Sequence, residues 1–416
     1  MLFLSLSVLL LVSYWAVAEW SPSTSASASS SLLLVVGDVS HDSVRILTQQ
    51  QSLTLLEQVL TTDDDHSIDT RTDLPAAVTN YSARLYRVSA GKRQQKEDQE
   101  KGVSQQQRNS HRDHYHAHLL GSKLVQISAL TPRIVYFSGL EPCTRYYVVF
   151  ELEQAQNDNS ESFPTMTQQL LSEQRLKNVD HVSFRTFSSV HDDEMIPGDA
   201  DATCGTTTKI IALSCNRIYE DNDDQMWSQL VRDESDRDGI VHLGDQLYAD
   251  SIYDRALAQY RANHTHIPSL PRLVNQFRGA YVKNWGSPVM QQVLRHGANW
   301  MLPDDHDVLN NLDREMTMVE MCESSETKEC KEYGANLLRQ RVVQAGRITF
   351  YEYQFQLLRN LSASEQQFHS SSGVIDSAAK SDPMAPTETS QSKSHVHYLK
   401  RFSGVCWLFA DTRFFR

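Results

Sequence analysis

The chain has 416 residues, a length that usually accommodates two or three domains of about 100–200 residues each. Its 39 lysines and arginines and 52 aspartates and glutamates give a formal net charge of −13. This charge argues against a nucleic-acid platform, because phosphate backbones are bound by clustered basic side chains. An acidic chain that handles phosphate must bring cations with it.

The first residues have the pattern of a secretory signal peptide. Leu2 to Val12 is nearly all apolar, and Ala16-Val17-Ala18 offers small residues for cleavage. We expect a signal peptide at 1–18, a Ser/Ala-rich disordered stretch at 19–31, and a secreted protein without a stable membrane span. Glycosylation sequons, which agree with a secretory route, occur at Asn80, Asn263 and Asn360.

Residues 32–190 have the alternating, β-branched and aromatic pattern of an all-β sandwich. Strands are predicted at 32–36, 43–47, 83–88, 123–127, 134–137, 146–150 and 182–187. The turn Gly139-Leu-Glu-Pro-Cys-Thr-Arg-Tyr146 resembles the fibronectin-type sandwich, in which the tyrosine hydroxyl returns to nearby backbone. A polar segment at 91–118 interrupts the pattern and is predicted to be a solvated loop insertion.

A linker at 191–206 is followed by an α/β pattern over 207–416. Continuous apolar runs predict doubly buried strands, and apolar residues at helical spacing predict helices. Strands are predicted at 209–213, 239–243, 300–302 and 404–413, and helices at 226–231, 252–262, 270–284, 287–296 and 332–359. A Ser/Thr/Pro-rich disordered insertion is predicted at 361–394.

Polar side chains follow three of these apolar runs. Cys215 ends the first run, and Asp245 follows Gly244 at the end of the second, with Tyr248 three residues further on. The third run leads into Asp304-Asp305-His306-Asp307. Because open α/β folds keep their sites at the carboxyl edge of the sheet, these groups can hold a metal pair that hydrolyses phosphate esters.

Each of these residues also has a structural interpretation. Asp245 can cap the following helix, and Cys215 can be a small buried hydrophobe or a disulfide partner. Arg217 can hold two phosphate oxygens through its planar guanidinium group, or form a surface salt bridge. The carboxylates around His306 raise one another's pKa unless a cation neutralises them, and the combination of segments therefore favours a metal site.

The segments resemble the PhoD-like (alkaline phosphatase D) branch of the calcineurin-like metallophosphoesterases. Its members have a strand ending in Ser-Cys, then Gly-Asp-x-x-Tyr, an Asp-Asp-His turn and an Asp-x-Arg strand. This chain has Ser214-Cys215, Gly244 to Tyr248, Asp304 to Asp307, and Asp411-Thr-Arg413 in that order. The resemblance implies a multidomain β plus α/β protein, with a fibronectin- or Ig-like β-sandwich followed by a metallophosphoesterase α/β sandwich.

Carried over position by position, the resemblance implies that Cys215, Asp245 and Tyr248 surround one Fe3+ ion. Asp245 would bridge to a divalent cation held by Asp305, with Ca2+ expected first and Zn2+ or Mn2+ as alternatives. His306 would face the leaving group as general acid or hydrogen-bond donor. A metal-bound hydroxide would attack phosphorus in a small phosphate mono- or diester.

The family also has metal-binding histidines in a segment after the Asp-x-Arg strand, and this sequence has no residue after Arg416. We therefore expect an incomplete phosphatase half, whose activity is left open. One alternative is a catalytically inactive secreted binding or adhesion protein with a vestigial phosphatase domain; another is a different metallohydrolase, such as a nuclease. Substrate, disulfide pairing and oligomeric state are not determined by the sequence.

Overall fold

The computed structural model describes residues 32–52, 78–90, 115–153, 179–188, 208–217, 225–263, 267–312, 328–358, 398–402 and 405–410. These residues lie in one compact unit, Ser31–Arg416. The predicted signal peptide at 1–18, the linker at 191–206, the insertion at 361–394, and Asp411 and Arg413 lie outside the described residues.

The N-terminal half contains two antiparallel sheets, and all seven predicted strands are present. One sheet has the order β1 (Leu32–Val39), β2 (Ser43–Gln50), β5 (Arg133–Ser138). The other has the order β4 (Tyr115–Ser128), β3 (Val78–Ala90), β6 (Arg145–Leu152), β7 (Asp180–Arg185). The predicted insertion at 91–118 ends earlier than expected, because residues 115–118 pair with the end of β3.

Both sheets contribute alternate residues to one buried cluster. Leu34 and Phe137 come from the first sheet, and Tyr146 and Phe184 come from the second, where their rings stack at 5.6 Å. The backbone N–H of Glu141 donates to the Tyr146 hydroxyl at 2.8 Å, which is the bond expected of the turn at 139–146. The fibronectin-like identity of this half stays a prediction.

The second half is built on a parallel sheet with the order β10 (Ala298–Met301), β9 (Gly239–His242), β8 (Ile210–Leu213). Its described helices are α1 (Gln225–Asp233), α2 (Asp250–Asn263), α3 (Leu270–Trp285), α4 (Pro288–Leu294) and α5 (Lys328–Tyr353). Strands β9 and β10 are buried throughout. The prediction that β8 is doubly buried is wrong, because β8 pairs only with β9 among the described strands and is partly exposed.

Side chains from α4 and β10 hydrogen-bond to the backbone of β1. The Asn299 amide donates to the Val36 carbonyl at 2.8 Å, and the Gln291 side chain accepts from the Leu34 N–H at 3.1 Å. Arg295 also donates to Asp180 of β7 at 2.9 Å. These bonds hold the parallel sheet against the antiparallel sheets.

The last described element is an antiparallel hairpin of β11 (Tyr398–Phe402) and β12 (Val405–Phe409). The sequence predicted a buried strand at 404–413, and that burial is wrong: Leu408 is 68% exposed, whereas Phe409 is buried. Residues 405–410 are all apolar, but a hairpin strand turns alternate residues to opposite faces. Strand β11 was not predicted.

Candidate metal centre

The three parallel strands end at the same level, so the segments that follow them lie side by side. The last residues of β8 and β10, Leu213 and Met301, both pair with His242 at the end of β9. The predicted site residues follow within a few positions of these ends. The strand register is therefore what brings three distant stretches of sequence to one edge of the sheet.

Three of the predicted metal ligands meet at one carboxylate. The Cys215 sulfur lies 3.6 Å and the Tyr248 hydroxyl 3.4 Å from Oδ2 of Asp245. The other oxygen of Asp245 accepts from the backbone N–H of His306 at 3.2 Å. The Asp245 side chain is thus shared between the ends of all three strands, and it is almost fully buried.

The loops that carry these ligands have unusual backbone conformations. Cys215, Asp245 and Tyr248 have φ values of 62°, 59° and 47°, in the left-handed region that non-glycine residues rarely adopt. The loops support each other, since the Asn216 N–H donates to the Asp245 carbonyl at 2.8 Å and the Cys215 N–H donates to that of Gly244 at 3.2 Å. Strain of this kind persists where the surrounding structure enforces it, commonly at functional sites.

The turn after β10 supplies the remaining predicted residues. Asp305 and His306 lie in a short 3-10 helix, Asp305–Asp307. One ligand atom from each of Asp245, Asp305 and His306 lies within 4.8 Å of the others, so these residues form a group that can hold a metal ion. Asp305 is oriented by the backbone N–H of Asn311, which donates to its carboxylate at 2.6 Å.

Asp307, which was not predicted as a site residue, anchors the loop that contains Asp245. Its buried carboxylate accepts four backbone N–H groups at 2.8–3.0 Å, from Asp304, Asp245, Gln246 and Leu247. Burial raises the pKa of Asp307 to about 7, while these N–H donors act in the opposite direction. The only sequence signal was a third carboxylate in the turn, which does not distinguish an anchor from a ligand.

Asp250 is a second residue that the prediction left out of the site. Its carboxylate lies 2.8 Å from Nδ1 of His306, whose ring stacks on Tyr248 at 4.6 Å between centroids. Burial lowers the pKa of His306, but the hydrogen bond and charge of Asp250 outweigh it, and the pKa lies above its usual value. Arg217 is at the edge of the group, with its guanidinium 4.9 Å from the centre of the Tyr248 ring.

The electrostatics of the group fit a cation. Burial, followed by the charge of Asp304, raises the pKa of Asp245. Burial and the Cys215 side chain raise the pKa of Tyr248. Each rise in pKa reflects the free-energy cost of holding negative charge out of water. A bound cation would remove that cost. A thiol, two carboxylates, a phenol and an imidazole together form a donor set suited to transition-metal or mixed-metal binding.

A parallel sheet that carries such donors at its carboxyl edge is typical of α/β metalloenzymes. Residues 210–370 match the family model of the PhoD-like phosphatases, so this part of the chain is similar to that family. The resemblance inferred from the motifs is thereby confirmed. No protein of the curated set matches the chain.

Among solved structures, the chain is similar to one described as the structure of PhoD, at 14% identity and a TM-score of 0.47. That alignment covers 93% of this chain and 53% of the solved one, so the chain spans about half the length of that protein. A purple acid phosphatase from yellow lupin (Lupinus luteus) seeds aligns at 6% identity and a TM-score of 0.29, covering 82% and 42% of the two chains. Separately, no helix in the described ranges is long and apolar enough to cross a bilayer.

Proposed function

We propose that the chain is a metal-dependent phosphoesterase that hydrolyses small phosphate mono- or diesters with water activated at a metal centre. The observation that carries the proposal is the meeting of the Cys215 sulfur and the Tyr248 hydroxyl at one oxygen of Asp245. Asp305 and His306 adjoin that carboxylate from the next strand end. The family match over residues 210–370 supports the same reaction class.

In this proposal Cys215, Asp245 and Tyr248 would hold an Fe3+ ion, and Asp245 and Asp305 would hold a divalent cation, Ca2+ or alternatively Zn2+ or Mn2+. A phenol binds as phenolate only beside a strongly polarising ion, which favours iron at the position of Tyr248. When bound, the cations supply positive charge for the phosphate oxygens and for the attacking water.

The other side chains bind and orient the ester. Arg217 offers its planar guanidinium to two phosphate oxygens, and its contact with the Tyr248 ring holds it beside the donor group. His306 donates a hydrogen bond or a proton to the leaving oxygen. The backbone bonds between the loops of Cys215 and Asp245 keep the donors in place without a ligand.

The test uses the purified full chain, loaded with Fe3+ and one divalent cation, and assayed with nitrophenyl phosphate and bis(nitrophenyl) phosphate. Asp245→Ala is expected to lose hydrolysis and iron content together. Tyr248→Phe is expected to lose the tyrosinate-to-iron charge-transfer absorption. The matched control is Asp254→Ala, which removes an exposed carboxylate from α2 and should leave both signals unchanged.

Two outcomes would contradict the proposal. Turnover in Asp245→Ala equal to that of the parent would exclude the shared carboxylate as a metal bridge. A folded, metal-loaded parent that hydrolyses neither ester would instead support the inactive binding protein.

We further propose that the protein is a secreted glycoprotein. Cys143 is disulfide-bonded, which is typical of an oxidising compartment, and the Asn80 sequon lies exposed on β3. Expression in a eukaryotic secretory host should give a product that shifts in mass on treatment with peptide N-glycosidase. Part of that shift should disappear in Asn80→Gln, and an unprocessed product retained in the cytosol would contradict the proposal.

A further inference from the structure

Asn216 lies between two residues of the proposed site, Cys215 and Arg217. Its side chain is buried, although both of its neighbours are exposed. The Arg217 N–H donates to the Cys215 carbonyl at 3.0 Å, so the chain makes a tight turn with Asn216 at its centre. The turn directs Asn216 into the interior and leaves the two site residues at the surface.

The contacts of the Asn216 amide fix its orientation. The indole Nε1–H of Trp227, a buried residue of α1, donates to Oδ1 of Asn216 at 3.1 Å. An indole N–H can only donate, so the atom that faces it must be the amide oxygen. Nδ2 is then the atom that donates to the Gln246 carbonyl at 3.4 Å and to Oδ1 of Asn284 at 3.3 Å.

Asn216 is bonded to two successive carbonyl groups of the loop that carries Asp245. Its backbone N–H donates to the carbonyl of Asp245 at 2.8 Å, and its Nδ2 donates to that of Gln246. Asp307 accepts the backbone N–H groups of the same two residues. The loop is therefore held through its N–H groups by Asp307 and through its carbonyl groups by Asn216.

These bonds set the distance between the Cys215 sulfur and the Asp245 carboxylate, which is 3.6 Å. Cys215 has a φ of 62°, a conformation that persists only where the surrounding structure enforces it. The side chain of the next residue in the chain, Asn216, supplies that constraint. It connects the turn to Trp227 of α1 and to the loop of Asp245 at the same time.

We propose that Asn216 is a positioning residue that holds the Cys215 sulfur beside Asp245, with Trp227 fixing the orientation of its amide. The inference rests on the proposed phosphoesterase function and deepens it, because it concerns the arrangement of the same donor group. Asn216 contacts neither the ester nor a cation, since its side chain is bonded within the interior.

A cobalt titration of the metal-free full chain separates positioning from a general loss of stability. Co2+ bound to a thiolate gives a sulfur-to-cobalt charge-transfer absorption, which oxygen and nitrogen donors do not give. The parent is expected to show this absorption and Cys215→Ser to lack it. Asn216→Ala is expected to lower the absorption per bound cobalt by at least about threefold. Asp245, Asp305 and His306 should still bind the ion.

Two buried indole rings provide a matched pair of variants. Trp227→Phe keeps most of the ring and removes the donor to Asn216, so it should also lower the absorption per bound cobalt. Trp300→Phe removes the Nε1–H that Trp300 donates to Asp38, likewise at 3.1 Å. That bond joins β10 to β1 and not to the loop of a metal donor. Trp300→Phe should therefore lower the urea midpoint of unfolding and leave the absorption per bound cobalt unchanged.

Two results would overturn this role of Asn216. One is an absorption per bound cobalt in Asn216→Ala equal to that of the parent. The other is an equal fall in Trp227→Phe and Trp300→Phe, which would show that the loss follows from reduced stability alone. This second comparison also decides the matter if Asn216→Ala does not fold. A parent that hydrolyses neither nitrophenyl ester would refute the phosphoesterase function, and the cobalt measurement would still decide the role of Asn216.

Discussion

At the scale of single residues, the buried carboxylate of Asp307 holds the loops of the site in place, although Asp307 is not one of the predicted metal ligands. It receives four backbone N–H groups from the two loops that carry Asp245 and Asp305. The N–H groups of Asp245 and Gln246 have no substitute acceptor if that carboxylate is lost, because the position is buried. The conformation of the loops that carry Asp245 and Asp305 therefore depends on the buried side chain of Asp307.

Asp307→Asn is expected to lower the free energy of unfolding by at least about 2 kcal/mol, because the new amide group would point N–H groups at N–H donors in a buried position. Metal binding at the proposed centre should weaken in parallel, as the loop of Asp245 loses its anchor. Urea unfolding and a metal titration measure the two effects. Asp236→Asn, at a 73% exposed side chain, is the control and should stay within about 0.5 kcal/mol of the parent.

Gly244 is a second position at which a small change of side chain is expected to disturb the site. Its φ is 113°, and a Cβ there would lie 2.4 Å from the Cβ of Asp304. Gly244→Ala should therefore destabilise the fold by about 1–3 kcal/mol from backbone strain alone, and displace Asp245 from its partners. Gly279→Ala should instead stabilise by about 0.5–1 kcal/mol, because that helical position has open space. Equal unfolding midpoints for the two variants would contradict this prediction.

At the scale of elements, α3 and α5 are joined by a buried ion pair and by stacked rings. Arg278 donates to both oxygens of Glu352, and the two side chains are only 11% and 12% exposed. Beside them, Tyr281 and Tyr353 stack with their centroids 4.2 Å apart. Helix α5 is thereby fixed to α3 in a single arrangement.

Glu352→Gln is expected to cost about 3–5 kcal/mol, since it leaves the Arg278 charge buried without a counterion. Chemical denaturation measures the loss. The exposed pair Arg232–Asp233 provides the comparison, and Asp233→Asn should cost less than about 1 kcal/mol. A similar cost for the two substitutions would show that burial does not control the strength of the pair.

At the scale of the whole molecule, the antiparallel sheets and the parallel sheet share one interface. Ser183 of β7 and His296, before β10, form a bridge, and the Ser183 hydroxyl lies 2.5 Å from Nδ1 of His296. Burial, and then the nearby His181, lower the pKa of His296 to about 4. Burial likewise lowers the pKa of His242, within the parallel sheet, to about 4. Two neutral imidazoles therefore lie inside the structure.

This gives a predicted pH dependence of stability. The folded-state pKa of each histidine lies below its unfolded value of about 6.5, so the unfolded chain binds more protons between pH 6.5 and 4. The stability contributed by each neutral ring is complete above pH 6.5 and falls by about 3 kcal/mol as the pH drops to 4.

Urea unfolding at pH 7.5, 6 and 5 measures this loss. His296→Asn should reduce the slope of the unfolding free energy against pH by about one proton per molecule. If the slope of the unfolding free energy against pH is unchanged in His296→Asn, the His296 ring has the same pKa in the folded and unfolded states.

The positions of the site residues could be predicted because each lies just after an apolar run. Cys215, Asp245 and Asp305 were predicted from local sequence to lie just after strand ends, and the strands end within one residue of the expected positions. The sequence could not predict Asp250 and Asp307 as partners of this site. Asp250 is 56 residues from His306, and only the packing of α2 against the turn makes them neighbours.

By itself, then, the sequence determined the order of the motifs, the strands that deliver them and the chemical class of the donors, because strand pattern and residue type are local properties. The tertiary structure alone decided which atoms meet at Asp245, which carboxylate is an anchor, and which faces of β8 and β12 are exposed. These depend on strand register and on contacts between residues far apart in the chain. No local pattern specifies such contacts.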